Sequence, residues 1–475
     1  MIDRGRNRIV GLAYKQQYGI INIQSVREDY KMSESVNIVE EILNKRKLDQ
    51  WEIFLQKSSN FRVQTKQSKT DFVQKAELSG LAVRLIKNHR MGFSFSSNLD
   101  YASLKQTVDM AESVADVTSE DPDYSFTVPV ESTQSMNDFF CPEIEETNEL
   151  EKISIARTIE ETAFARDKRI SAVRSSGYSD HILEAEIRNS LGLRVQAKAG
   201  LARIWIELMA QSASGQEMSY WSGQARSPKT LDPAKLGQVG ADRAINRLGG
   251  VAIPSTKCPV LIENTVAASL LGTLSSAFLA ESHFKKTVSP RVYIGSKVFA
   301  PTINIFDGGL EPEGAKAFPF DGEGATSQLT AVARVGEVLS LLADNYYSRK
   351  LQTKPTANSC RSSFDSAPFN GVTNLFIERG NSTPSELIAD MGSGIMITEV
   401  MGLHTANPIS GDFSVGATGF KISGGRIDHP VKGIALAGNL IDLLGRVRNV
   451  GADFQFFGAF GAPSLLVESL SISGE

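Results

Sequence analysis

The chain has 475 residues, too many for one hydrophobic core, so two domains are expected. Hydrophobic residues make up 41% and charged residues 22%, which fits an ordinary globular protein and excludes a fibrous or highly charged disordered one. The formal net charge of −4 argues against a general nucleic-acid binder, and no apolar run is long enough to cross a bilayer as a helix.

Residues 1–31 are basic, and their apolar stretches are broken by Lys15, Gln16 and Gln17. They lack a signal-peptide core and read as a disordered extension ahead of the fold. Val36–Leu48 then reads as an amphipathic helix. Trp51–Gln56 and Phe61–Thr65 read as strands, and Leu81–Ile86 with Met91–Ser97 as a hairpin around KNHR. From Asp100 to Val117, Leu104, Val108, Ala111 and Ala115 line one helical face. Thr118–Thr147 contains Pro122, Pro129 and Pro142 and reads as a linker. Glu149–Arg166 is again helical. Four strand candidates follow: Ile170–Tyr178, Ile182–Arg188, Leu193–Ala210 and Met218–Gly223, with a turn at NSLG (189–192). Their polar positions Glu184, Glu186, Arg188, Gln196 and Lys198 suit a solvated face or a face that meets another chain. Pro233–Leu248 is a helix, and a boundary is expected near Gly249–Ser255.

Beyond it, Pro259–Ile262 and Val298–Phe306 read as strands, and Thr265–Ala280 as a helix. Leu329–Leu342 suits a strand, turn and helix, and Ser348–Gly371 an exposed loop. A hairpin closed by SGG (423–425), a helix over Asn439–Val447 and a strand over Pro463–Ser473 complete the chain. The expected fold class is α+β in two domains. An N-terminal α+β layer spans 32–250, with linker-like 118–147, and a β-rich domain with mixed or antiparallel sheets and packed helices spans 251–475.

Little in the pattern suggests self-contained chemistry. Cys141, Cys258 and Cys360 are widely spaced and form no CxxC, which fits a reducing cytoplasm and no disulfide framework. The histidines at 89, 181, 283, 404 and 429 form no i, i+4 pair and read as surface or hydrogen-bonded structural residues. Asp321 and Glu323 in FDGEG form a carboxylate pair that suits a structural turn better than general acid–base work. His404, Asp412 and Ser414 lie near one another in sequence, but proximity is not triad geometry.

The order of the C-terminal motifs is more informative. GDFSVGATGFKISGG (411–425), HPVKGIALAGNL (429–440), VGAD (450–453) and APSLLVESLSISG (462–474) follow FDGEGATSQ (320–328) and PSELIADMGSGIMITEVMG (384–402). This succession resembles the TldD/PmbA family in its PmbA or TldE branch, from about Met32 onward. In that family the TldD branch carries an HExxxH helix and a distant cysteine. The resemblance puts that helix roughly at Ser269–Leu274 (SLLGTL) and the cysteine within FGAFGAP (457–463). Neither stretch has a histidine, glutamate or cysteine.

The resemblance therefore implies no catalytic residue, metal or cofactor in this chain, with zinc or a similar metal expected in a TldD-like sibling. It implies a cytoplasmic, non-catalytic subunit of a TldD/TldE-type metallopeptidase that holds extended peptides for maturation or proteolysis. A homodimer is expected alone and a heterodimer with the sibling, with no nucleic-acid or membrane partner. Substrate contact is expected at Gly411, Asp412, Phe413, Ser414, Gly416 and Gly419, where glycine permits close backbone approach. A regulatory or adaptor protein, such as the gyrase modulation attached to the family name, and an independent peptidase are the alternatives.

Overall fold

A computed structural model describes residues 23–129, 139–213 and 215–474. Its N-terminal half is organised by strand β1 (Gln50–Lys66), which is paired along both edges. The other strands of this sheet are β2 (Lys69–Lys87), β3 (Arg90–Ser96), β4 (Ile170–Asn189), β5 (Arg194–Ser212) and β6 (Gly215–Ala225). They form one antiparallel sheet in the order β3-β2-β1-β4-β5-β6. The two strands expected at 51–56 and 61–65 are thus one strand. Ladders on both sides carry the polar stretch Lys57–Asn60 through, because a strand's backbone pairs whatever its side chains are. The same holds for β4, expected as two pieces.

One face of this sheet is covered by helices. Helices α1 (Ile23–Asn44) and α2 (Tyr101–Val117) bury Val39, Leu43, Leu104 and Val108 against Ile53 and Leu85. Helices α3 (Glu149–Arg166) and α4 (Pro233–Arg247) bury Ile159, Ala163, Leu236 and Ala244 against Ile204 and Ile206. Asp100 caps α2 by accepting from Ser103 N, and Asn148 with Glu151 forms a capping box on α3. Helix α1 starts before the expected Val36, so residues 23–31 of the expected extension continue its backbone. Residues 1–22 and 130–138 of the expected linker lie outside the described residues.

The C-terminal half has two six-stranded sheets. One contains β8 (Ile305–Gly308), β9 (Leu329–Arg334), β10 (Glu337–Val338), β13 (Leu375–Ile377), β18 (Gln455–Phe457) and β19 (Phe460–Ala462). The other contains β7 (Thr256–Ile262), β14 (Gly394–Met401), β15 (Asp412–Ser423), β16 (Arg426–Asn439), β17 (Val447–Val450) and β20 (Leu465–Ser473). Both are mixed, because β13 runs parallel to β19 and β7 parallel to β14. Helix α5 (Asn264–Leu274) buries Val266, Leu270, Leu271 and Leu274 in the core these sheets share. The α+β class with a β-rich C-terminal region is what the pattern predicts.

Several stretches differ from expectation. Of Val298–Phe306, expected as a strand, only Ile305 and Phe306 lie in one, β8. Leu329–Leu342 forms the β9–β10 hairpin and no helix. Ser348–Gly371 is not simply an exposed loop. It begins in the last turn of helix α6 (Asn345–Lys350) and forms the short ladder β11 (Ser359–Cys360) with β12 (Phe369–Asn370), where Ser359, Asn370 and the neighbouring Asn358 are buried. Polar groups hold it there: Asn358 Nδ2 donates to the buried Asp307 carboxylate at 2.8 Å, and Thr373 N donates to the same carboxylate at 3.0 Å.

Candidate functional site

The sheet face away from the helices meets the C-terminal half, with Phe54, Ala82, Ile187 and Leu193 packed on Phe320 and Phe364. Successive side chains on a strand alternate between faces, so residues two apart share one. Along β5, Leu201 lines a large cleft of about 600 Å³ and Arg203 lines a smaller one of about 280 Å³. Gln224 stands between them as a clasp. Its Nε2 donates to Glu313 O at 2.8 Å and Gly458 O at 3.1 Å, and its Oε1 accepts from Gly458 N at 3.1 Å. A third cleft of about 470 Å³ shares Arg243, Arg247 and Thr398 with the small one.

The small cleft lies beside the helix at which the resemblance places the HExxxH motif of the TldD branch. Helix α5 supplies Thr265 and Ser269, and β18 supplies Phe457. The VGAD motif fixes the start of this helix: Asn264 Nδ2 donates to Asp453 O at 2.9 Å, while the Asp453 carboxylate accepts from Ser464 N and Oγ at 2.9 and 2.7 Å. The SLLGTL stretch and the FGAFGAP stretch do come together. At Gly272 an added Cβ would lie 3.3 Å from the Phe460 ring, so glycine gives that ring its seat. The hydroxyls of Ser269 and Thr273 turn back onto their own helix, donating to Thr265 O at 2.8 Å and Ser269 O at 3.1 Å. The nearby carboxylates are engaged too. Glu263 holds Arg243 in a two-pronged pair at 2.7 and 2.8 Å, and Glu399 holds Arg247. Among the described residues, no three His, Cys, Asp or Glu side chains are grouped to hold a metal ion.

Sequence reasoning missed the cationic and aromatic part of this cleft. Arg243 stacks 4.5 Å over Trp221, whose ring meets Phe457 edge-on at 6.0 Å. In sequence, Arg243 and Arg247 look like the solvent face of an amphipathic helix, and only their pairing across the domain junction gives them away.

The FDGEG loop sits beside the large cleft and works as a junction. Arg84 Nη2 donates to Glu52 at 2.7 Å and to Glu323 at 3.1 Å, and Arg361 also pairs with Glu52. All four side chains are nearly inaccessible. Burial alone would raise Glu52, but Arg84 and Arg361 together outweigh it and hold the carboxylate below its usual range. Arg361 is less well compensated: burial lowers it to about 10 despite Glu52, with Arg84 beside it adding to the shift. Burial, with the Glu323 charge adding to it, pushes Asp321 up to about 7. Asp321 still anchors the loop, accepting from the backbone N–H of Glu323, Ala325 and Ser359 at 2.9–3.0 Å. The structural-turn reading of this pair fits that geometry.

The six expected contact residues lie on or beside β15 and line none of the three clefts. Gly411 has φ +81 at the strand entry, and Phe413 is buried in the core. The Asp412 carboxylate accepts from Asn439 Nδ2 at 2.8 Å and Ser410 Oγ at 2.7 Å. Ser414 is exposed, and a Cβ added at Gly416 would lie 3.5 Å from the Met401 side chain. Gly419 has a structural reason: an added Cβ would sit 1.8 Å from Met396 O on the neighbouring strand. No hydrogen bond joins His404 to Asp412 among the described residues. His283 Nε2 lies 2.9 Å from Ala277 O and His181 Nδ1 2.7 Å from Asn60 Oδ1, the structural roles expected of them. The three cysteines are free.

Domain descriptions of one family match most of the chain. They are the PmbA/TldA metallopeptidase domain 1 over residues 51–115, the central domain over 142–248 and the C-terminal domain over 255–474. The chain belongs to the PmbA/TldD family. The single N-terminal sheet carries both of the first two matched segments, β1–β3 and β4–β6. Among its relatives, a metalloprotease PmbA homolog of Buchnera aphidicola is 25% identical over 454 residues, 93% of this chain and 98% of that protein. Metalloprotease PmbA of Escherichia coli O157:H7 is 25% identical over 437 residues, 90% of this chain and 93% of that protein. A crystal structure of a candidate modulator of a DNA gyrase from Thermotoga maritima is 28% identical, covers 93% of this chain and 100% of its own, and has a TM-score of 0.86. TldE from Thermococcus kodakarensis covers 94% and 100% at a TM-score of 0.85, and at 20% identity that likeness shows the PmbA/TldD fold alone.

Proposed function

We propose that this chain is the peptide-holding, non-catalytic half of a TldD/TldE-type metallopeptidase, acting in the cytoplasm with a metal-bearing sibling. The observation that carries this reading is the small cleft. A hydrolytic zinc needs three protein ligands and an open position. The residues at this place are helix-bound hydroxyls, aromatic rings and carboxylates already paired with arginines, and they do not fit such a metal. The framework is kept and the donors are not, so activity has to come from a partner. A free sheet edge supports an assembly role. β3 pairs with β2 only from Leu81 to Lys87, and among the described residues no strand pairs with the outer edge of Lys69–Gly80. Phe72, Val73 and Leu78 are exposed on that stretch, as suits a surface that another chain covers.

The test is to purify this chain alone and together with an HExxxH-bearing sibling, and to incubate each with an unstructured polypeptide. Cleavage is expected only in the mixed complex. It should disappear when the sibling's HExxxH is altered and survive Ser269→Ala in this chain. Robust cleavage by this chain alone in the presence of a chelator would overturn the reading, as would failure to co-elute with the sibling at micromolar concentration.

A further inference from the structure

The large cleft carries positive charge that its own walls do not balance. Arg226 donates from Nε to Pro312 O at 2.9 Å, from Nη1 to Gly200 O at 2.8 Å and from Nη2 to Gly314 O. Lys316 Nζ donates to Val372 O at 2.9 Å. Every one of these acceptors is a backbone carbonyl, and neither cation makes an ion pair among the described residues, although the buried Asp307 carboxylate, outside the lining, acts on Lys316. Burial lowers Arg226 to about 10, which is what an uncompensated guanidinium does when it leaves water. Arg361 reaches the same wall with its Nη1 buried and unpartnered. The carboxylate that lines the cleft, Asp321, is occupied by two backbone N–H groups of its own loop and by that of Ser359 in β11.

The floor has a second feature. Gln56 and Ser58 lie two apart on β1 and so share the face that forms the cleft. They are only 6% and 4% exposed, yet neither side chain has a hydrogen-bond partner among the described residues. Their polar atoms are not sealed from solvent, so the amide and the hydroxyl stand open to the cleft, where a ligand carrying amides can pair with them. Leu183, Leu201 and Phe318 make much of the remaining wall apolar. The volume of about 600 Å³ lies within the range of small-ligand sites.

We propose that the large cleft binds the C-terminal end of an apolar peptide, its carboxylate facing Lys316 and Arg226 and its backbone amides facing Gln56 and Ser58. An apolar chain with amides along it and an anion at its end answers all three features, whereas a fatty acid offers nothing to Gln56. The ligand class rests on the reading of the chain as a peptide-holding subunit. The binding itself is measured on this chain alone, so it fails or succeeds separately from assembly with the sibling.

Calorimetric titration with an N-acetylated tetrapeptide of leucine and phenylalanine tests it, using the free acid, the C-terminal amide and octanoate as separate probes. The acid should bind saturably and at least ~10-fold tighter than the amide or octanoate. Lys316→Met should erase the preference for the acid and leave amide binding unchanged. Ala199→Leu, which adds bulk to the cleft floor, should weaken both peptides. Equal binding of acid and amide, octanoate matching the acid, or no saturable binding would overturn the proposal. If thermal unfolding shows that either variant misfolds, the three-probe comparison on the unaltered chain still decides.

Discussion

Several ion-paired contacts join the N-terminal sheet and helices to the C-terminal half, and those at the FDGEG loop and at helix α4 differ in how much water they see. At the FDGEG loop, the side chains of Glu52, Arg84, Glu323 and Arg361 are 1–7% exposed. At helix α4, Arg243 and Glu263 are 17% and 16% exposed, and Glu399 is 42% exposed opposite Arg247 at 6%. A charge in water can lose its partner and be resolvated, whereas a buried one cannot. The first contact therefore fixes how the halves meet. The second borders two clefts and has latitude for a ligand or a partner chain.

The most severe way to probe this difference is Arg84→Met. It strands Glu323 in the interior and leaves Glu52 with Arg361 alone, and it should cost ~3–5 kcal/mol, a fall in thermal midpoint of ~5–10 °C. Replacing Glu52, Arg84, Glu323 and Arg361 together by apolar residues of similar size should recover much of that loss, because no unpaired charge of the network remains. A quadruple variant no better than the single one would show that the pairing itself stabilises the junction.

Asp321→Asn sharpens the same contact through pH. The carboxyl's folded value of about 7 lies above its ordinary 3.8, so the folded state holds the proton more tightly than the unfolded chain. The stability this group contributes is present below pH 4 and is lost as pH rises towards 7. The asparagine variant does not titrate, and it turns one N–H donor towards backbone N–H groups. Native protein should exceed the variant in thermal midpoint by several degrees at pH 5 and by clearly less at pH 8. A gap that stays constant or widens with pH would refute the assignment.

The sequence makes the first contact only half visible. FDGEG stands out as a paired-carboxylate loop, but its partner Arg84 is 239 residues away in a strand that reads as ordinary. Helices α2, α3 and α4 are legible because their caps and one-sided apolar faces are local facts. The outer half of β2 is not, because Lys69–Ser79 is exposed on both faces and lacks alternation. The stretch around Asn358 and Asn370 is hidden for the opposite reason. It is buried by hydrogen bonds to Asp307 and to backbone carbonyls, and polar burial has no periodicity to read. Gln56 and Ser58 look like solvent-facing strand residues until the C-terminal half closes over them. The 411–419 glycines are conspicuous in sequence, but what they do in β15 is let strands approach, as Gly419 does against Met396.

At the second contact, Arg243→Met removes both the pair with Glu263 and the stack on Trp221. Partial solvent access should hold the loss to ~1–2 kcal/mol, read as a shift in denaturant midpoint with an unchanged slope. A loss as large as that of Arg84→Met would erase the distinction between the two contacts.

The smallest expected change lies in helix α5. Gly272→Ala exchanges the least favourable ordinary helix residue for the most favourable one, a gain of up to ~1 kcal/mol. Against this stands the Phe460 ring, which the new methyl would meet at 3.3 Å. Phe460 is only partly buried, so its ring can move by a few tenths of an ångström without opening a void in the core. The two effects should nearly cancel and leave the midpoint within ~1 °C of native, slightly raised rather than lowered. Gly272→Leu cannot be accommodated by so small a shift and should lower it. If the alanine variant instead loses more than ~3 °C, the ring is held rigidly against the helix, and its packing rather than helix propensity is what requires glycine at this position.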